Sequence, residues 1–245
     1  MPTQAPPKID VARAAFFLDF DGTLVPFNAP DINRPLVDDG LRTLLTELQA
    51  QTDGALAIIS GRSILMIDDL FEPMQLAAAG EHGAEWRIAP GAEHGRVTAP
   101  VALDIAQAAC EAWVKQNPGT RFERKSLSMV MHFHSNPELR DSAAATAQSV
   151  CPPDSGIKML HARGMVEIKP IEASKGYAVA RFMSQAPYSG RKPVFLGDDV
   201  TDEDGFMAVN ALGGVSVKVG PGASHARFRL PDNDAVRDWL ESCIE

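Results

Sequence analysis

The chain has 245 residues, 45% of them hydrophobic, and a formal net charge of -9 at pH 7, enough apolar material for a full core with room for an inserted module. The negative charge, with a sequence pI near 5.2, excludes a general role in binding nucleic acid or an anionic membrane. No uninterrupted apolar stretch approaches the roughly 20 residues that cross a bilayer, so the expectation is a soluble protein, and three cysteines in no evident pairing suit a reducing cytoplasm.

The opening MPTQAPPK has adjacent prolines and no apolar run, and reads as a frayed tail rather than a secretory signal. Ala14 to Phe20 (AAFFLDF) form a continuous apolar run broken only by Asp19, the pattern of a strand buried on both faces of a parallel sheet. Leu36, Val37, Leu41, Leu44, Leu45 and Leu48 then recur at helical spacing after Arg34-Pro35, and Asp53-Gly54 closes that helix before a second apolar strand, ALAIIS. Later strands are PVFLG, which runs into an acidic loop, and LGGVSVKVG. Val236, Trp239, Leu240 and Ile244 predict a last amphipathic helix. This alternation predicts a doubly wound α/β core with a mostly parallel sheet.

Between residues 100 and 170 the pattern changes. A helix carrying Val101, Ile105, Trp113 and Val114 leads to the strand LSMVMHFH. An alanine-rich helix from Pro137 to Val150 then precedes the strands GIKMLHA and MVEIKP. The expected organisation is a core of residues 1–99 and 171–245 carrying an inserted α+β cap, 100–170, in α-β-β-α-β-β order. Cys110, Cys151 and Cys243 are odd in number, far apart and outside any CxxC pairing, which indicates neither a disulfide framework nor a zinc site.

The chemistry concentrates at strand ends. Asp19-Phe20-Asp21-Gly22-Thr23-Leu24 closes the first buried strand, where carboxylates are costly unless a metal or hydrogen bonds compensate them. Ligands of open α/β sheets bind outside the carboxyl ends of the strands. Ser60 with Gly61-Arg62, Lys175 in Ala173-Ser174-Lys175-Gly176, and Gly197-Asp198-Asp199-Val200-Thr201-Asp202-Glu203 converge on the same rim. Singly, each has a structural explanation: a turn, a helix cap, a solvated first-turn charge, or an acidic helix start complementing the dipole. Calcium binding fails as an explanation, because an EF-hand register ending at Gly22 needs acidic residues where Phe17 and Asn28 stand, and the register at Gly205 has Val200 and Ala211.

DxDGT, a Ser, a Lys and GDDxxD in this order resemble the haloacid dehalogenase superfamily. Within it, Gly80-Glu81-His82-Gly83-Ala84-Glu85, Glu123-Arg124-Lys125-Ser126, Val166-Glu167-Ile168-Lys169-Pro170 and Leu196 to Glu203 resemble the trehalose-6-phosphate phosphatases. The resemblance implies Mg2+-dependent hydrolysis of a sugar phosphate through a phospho-aspartate on Asp19, with Asp21 as acid and then base. Ser60, Gly22, Thr23 and the backbone after Asp19 would meet the phosphoryl oxygens, and Lys175 would offset charge. Asp19, Asp198, the Asp21 carbonyl and, in support, Asp202 would hold the metal. Glu123, Lys125 and Glu167 of the cap, with Arg62 and His82 at the rim, would read the sugar. His132 and His134 lie on one strand face without a third ligand at suggestive spacing and are left out of the metal site.

Trehalose 6-phosphate is the substrate that the resemblance implies, with a functional link to a trehalose-6-phosphate synthase and a monomer or weak homodimer as the assembly. A phosphatase of another sugar phosphate such as sucrose phosphate, a hexose phosphomutase and a catalytically silent sugar-phosphate sensor stay open. A signalling receiver domain keeps its phosphoryl group and has no need of Asp21, which counts against it.

Overall fold

The computed structural model describes residues 4–27, 36–125, 127–134, 136–162 and 164–244. Met1–Thr3, Asn28, the Arg34-Pro35 pair and Ser126 lie outside the described residues. The chain divides into two compact units, Met1–Arg96 with Ser174–Glu245, and Val97–Ala173. The first unit begins with β1 (Ala14–Leu18), α1 (Asp39–Gln51), β2 (Leu56–Ile59), α2 (Ile64–Phe71), β3 (Ala77–Gly80), β4 (Glu85–Arg87) and β5 (Gly95–Arg96). The second comprises α3 (Val101–Gln116), β6 (Arg121–Arg124), β7 (Met129–His132), α4 (Arg140–Ser149), β8 (Ile157–Ala162) and β9 (Met165–Pro170). The chain returns to the first unit with α5 (Lys175–Met183), β10 (Lys192–Gly197), α6 (Glu203–Ala211), β11 (Val215–Val219), β12 (Phe228–Leu230) and α7 (Asn233–Ile244).

The first unit is the expected doubly wound α/β fold. Its sheet has the order β12-β11-β10-β1-β2-β3-β4-β5, parallel from β12 through β3 and antiparallel at β4 and β5. Because β1 pairs with β2 on one side and β10 on the other, the chain winds away from β1 in both directions. The carboxyl end of β1 is therefore a topological switch point. Every residue of β1 is buried because both faces are covered. Phe16 and Leu18 join the core under α1, α2 and α7, while Ala15 and Phe17 join the one under α5 and α6.

Three sequence expectations require correction. The α1 helix starts after Asp38, whose carboxylate accepts a hydrogen bond from Leu41 N at 2.8 Å. Leu36 and Val37 precede the cap, and Leu36 is exposed. Within the helix, Leu41, Leu44, Leu45 and Leu48 form the buried stripe, each worth about 1.5–3 kcal/mol relative to exposure. The opening segment is tied down rather than frayed from Gln4 onward: Arg229 N donates to Gln4 O at 3.0 Å and Trp239 Nε1 to Pro7 O at 3.2 Å. On α3 the buried face is Leu103, Ala106, Cys110 and Trp113, whereas Val101 and Ile105 are exposed. At 100° per residue those two point to the opposite side, so angle rather than side-chain size decides burial there.

The second unit has the expected α-β-β-α-β-β order. Its four strands form an antiparallel sheet in the order β6-β7-β9-β8. Met129, Met131, Val166 and Ile168 pack against Leu103, Ala106, Cys110 and Ala147 of the helices. Strand alternation turns the other face polar: Glu123 pairs with Val130 and Val130 with Glu167, so both glutamates share that face.

Candidate active site

The site begins where β1 ends. Asp19 N still donates to Leu196 O of β10, at 3.0 Å, after which the backbone turns back on itself with Leu24 N and Val25 N both donating to Phe20 O. Gly22 makes this turn at φ +85°, and a Cβ at position 22 would stand 2.2 Å from Asp198 Oδ2. Glycine is thus required twice, for the left-handed backbone and for the space the neighbouring carboxylate occupies. From α7, Asn233 Nδ2 donates to Thr23 O at 2.8 Å and braces the turn.

Asp19 is almost wholly buried. Its Oδ1 accepts from Lys175 Nζ at 2.6 Å, and its Oδ2 from Thr23 Oγ1 at 2.9 Å. Lys175 opens α5, whose cap is Ser174, and also donates to Asp202 Oδ1 at 2.6 Å. The other oxygen of Asp202 accepts from the backbone N–H groups of Asp198 and Asp199 at 3.1 and 3.0 Å, which fixes the acidic loop after β10. Gly197 is needed there, since a Cβ would lie 2.3 Å from the Asp202 carboxyl carbon. Carboxylate oxygens of Asp19, Asp198 and Asp202 come within 4.8 Å of one another.

Burial and the negative charge of Asp202 push the Asp19 carboxyl well above the usual range, with Lys175 opposing and Asp198 reinforcing the rise. Burial and Asp202 raise Asp198 in the same way. For Lys175, burial disfavours the charge, but Asp19 and Asp202 outweigh it and hold the ammonium strongly protonated. Three crowded carboxylates of hard oxygen donors, with Lys175 hydrogen-bonded to only two of them, form a set that could hold a metal ion.

The Asp21 carboxylate stands outside that trio. Arg62 holds it through two 2.7 Å bonds, Nε to Oδ2 and a terminal nitrogen to Oδ1, and the guanidinium lies 5.7 Å from the Phe20 ring centroid. Ser60 is buried at the end of β2. Its Oγ accepts from Arg62 N at 3.1 Å, and its carbonyl accepts from His82 N at 2.9 Å. Glu81, His82 and Gly83 all have positive φ, and the His82 ring fills the space where a Cβ on Gly61 would stand. The loops after β1, β2 and β3 are thereby joined.

Glu123, Lys125 and Glu167 gather on the polar sheet face of the second unit. Lys125 Nζ lies 3.4 Å from Glu167 Oε1, and Ser128 Oγ donates to the same oxygen at 2.6 Å. Glu123 meets His132 Nε2 at 2.7 Å and Arg121 at 3.1 Å, contacts that keep its carboxyl below the usual range. The sequence reading passed over Ser128 and gave His132 no role beside Glu123. It also missed Lys218, a buried cation in β11 whose Nζ donates to the carbonyls of Asp198 and Val219. A lone lysine inside the apolar run VSVKV is the signal that marks it.

A buried aspartate at the switch point of a doubly wound sheet, with a lysine and an acidic loop closing around it, defines a hydrolase of the haloacid dehalogenase-like class. The chain belongs to the trehalose-phosphatase family of phosphoric monoester hydrolases, whose family model, described as Trehalose-phosphatase, matches residues 17–234. It is 41% identical over 231 residues to a trehalose-6-phosphate phosphatase of Escherichia coli (strain K12), covering 94% of this chain and 86% of that protein. It is also 31% identical to a bifunctional trehalose-6-phosphate synthase/phosphatase of Thermoproteus tenax, over 96% of this chain and 33% of that protein. The fold matches the structure of Aspergillus fumigatus trehalose-6-phosphate phosphatase (crystal form 3) with a TM-score of 0.82, covering 99% and 98% of the two chains at 22% identity.

Proposed function

We propose that this chain hydrolyses trehalose 6-phosphate to trehalose and inorganic phosphate through a phospho-aspartate on Asp19. The observation that carries the reading is the meeting of Asp19 with Lys175, Asp198 and Asp202 at one strand end. The names of the relatives support the substrate. Asp19 and Asp198, with Asp202 in support and the Asp21 carbonyl alongside, are the donors we assign to Mg2+, which when bound would offset the charge of the phosphoryl oxygens.

Asp19 attacks phosphorus, forming the aspartyl O–P bond as the bond from phosphorus to the sugar oxygen breaks. Lys175 and Thr23 fix the orientation of Asp19 for that attack. Asp21 starts the cycle in its acid form and gives that proton to the departing sugar oxygen; as a carboxylate it then takes a proton from the water that attacks phosphorus and frees Asp19. Arg62 donates to both Asp21 oxygens, so that clamp opens before Asp21 carries the proton it gives. Ser60 and the backbone amides after Asp19 hydrogen-bond the phosphoryl oxygens as charge redistributes.

Glu123, Lys125 and Glu167 make the second unit the reader of the sugar, since ionised side chains at fixed spacing suit an array of hydroxyls. Arg62 and His82 complete recognition at the rim. On the same reading the enzyme works in the cytoplasm, and a synthase makes its substrate; the bifunctional T. tenax relative supports the second of these assignments.

The test is phosphate release from trehalose 6-phosphate, sucrose 6-phosphate and glucose 6-phosphate, each with Mg2+ and with EDTA. Selective, EDTA-sensitive release from the first is expected. Preference for another sugar would overturn the substrate, and release that EDTA leaves intact would overturn the metal.

A further inference from the structure

We propose that Lys218 is a positioning residue for Asp198, pinning the backbone that carries this metal-ligand carboxylate; the proposal rests on the Mg2+ reading above. In β11, Val215, Val217 and Val219 enter the core under α1 and α7, so Ser216 and Lys218 point to the opposite face. Lys218 pairs in register with Gly197, the last residue of β10 and the one immediately before Asp198. It is 5% exposed. An ammonium so buried is tolerated only with partners, and here they are two carbonyl oxygens, of Asp198 and of Val219 at 2.8 Å.

Asp198 is consequently held at both of its backbone polar groups. Its N–H donates to Asp202, and its carbonyl accepts from Lys218. The Cα of Gly22 walls the far side of its carboxylate. Asp202 reaches the loop from within the carboxylate trio and Lys218 from the neighbouring strand, so removing Lys218 frees only the carbonyl side. Outer partners that orient a metal ligand commonly change metal affinity by roughly 10–100-fold; Lys218 would do so through the backbone of Asp198 rather than through its carboxylate.

Charge and geometry predict opposite signs, which makes the proposal testable. The Lys218 charge also favours the ionised form of Asp198, so the titration is made at alkaline pH with Asp198 ionised; there a nearby cation only repels the metal, and neutralising a lysine that acted by charge alone would tighten Mg2+ binding. If it acts by positioning, neutralising it weakens binding.

The experiment is calorimetric titration of Mg2+ into the full chain, freed of metal and without substrate, for wild type, Lys218→Met and Lys218→Gln, with melting curves in EDTA. The expected result is a Mg2+ Kd about tenfold or more higher for Lys218→Met and a smaller rise for Lys218→Gln, which keeps an N–H donor. Phosphatase kcat should recover to within about threefold of wild type at saturating Mg2+. Unchanged or tighter Mg2+ binding by the folded variants would overturn the proposal, as would a lowered melting temperature with an unaltered Kd, the signature of a purely structural lysine. Should Lys218→Met fail to fold, Lys218→Gln decides by the same sign. A wild-type chain that binds no Mg2+ would instead remove the metal reading, and the proposal with it.

Discussion

Replacing Asp19 with asparagine separates the chemistry of this side chain from its packing. Its two oxygens accept from Lys175 at 2.6 Å and from Thr23 at 2.9 Å. In Asp19→Asn the amide oxygen still accepts from Lys175, and the amide nitrogen donates to Thr23 once that hydroxyl rotates to accept. Both bonds survive, and one loses the strength that charge lends it, a cost of about 1 kcal/mol. Against this, a carboxylate disfavoured by burial and by Asp202 disappears. The metal-free Asn variant should therefore match wild type within about 1 kcal/mol in urea unfolding or exceed it. Asp19→Ala, which leaves the Thr23 hydroxyl without its acceptor and opens a small void, should be about 2 kcal/mol less stable than the Asn variant. Activity behaves oppositely: an amide cannot form the phospho-aspartate, so phosphate release from trehalose 6-phosphate should fall on the order of 10⁵-fold, roughly 7 kcal/mol of barrier. Residual turnover above about 1%, with mass spectrometry showing the asparagine intact, would refute the covalent role. An Asn variant less stable than the Ala variant would refute the hydrogen-bond argument.

Lys175→Met should lower stability by about 3–5 kcal/mol, because Asp19 and Asp202 would face each other without the cation between them; urea midpoints in EDTA check this, and a loss under about 1 kcal/mol would contradict it. Gly22→Ala should cost about 1–2 kcal/mol for its left-handed backbone and, by displacing the Asp198 carboxylate, on the order of 100-fold in kcat/KM. Asp38 is held below its usual range mainly by the Leu41 N–H, with Arg237 helping. A lowered acid stabilises the fold above its unfolded value and loses that contribution as pH falls through the folded value. Asp38→Ala should therefore be about 1 kcal/mol less stable at about pH 7, a difference that fades toward about pH 2 and is read by denaturant titration at both.

The fold was legible wherever a strand is buried on both faces. AAFFL and LAII announce themselves as continuous apolar runs, and the chain order of helices between them implies the parallel sheet. The strand Ala77–Gly80 escaped notice because alanine has little strand preference of its own; burial on all four positions, a tertiary fact, makes it a strand. The Asp19, Asp198 and Asp202 trio was visible as acidic residues at the ends of apolar strands. The partners each carboxylate takes were not: Arg62 on Asp21, Thr23 on Asp19 and His132 on Glu123 join residues brought near by turns and register. Of the apolar residues that marked α3, Trp113 lies on the buried face with Leu103, Ala106 and Cys110, while Val101 and Ile105 turn to the opposite side, a split that angular position rather than side-chain size decides.

The contact between Lys175 and Asp19 spans 156 positions, and β1 is flanked by a strand made soon after it and by one, β10, made much later. During synthesis from the N-terminus, Ala14–Leu18 waits with one edge unpaired until Lys192–Gly197 has emerged. The intervening Val97–Ala173 segment can meanwhile collect its own core. Completing the first unit thus requires a long loop closure, since β1 is paired on both edges only once β10 has arrived. A nascent chain halted before residue 192 presents an apolar strand edge with no partner, so such fragments should aggregate or be held by chaperones.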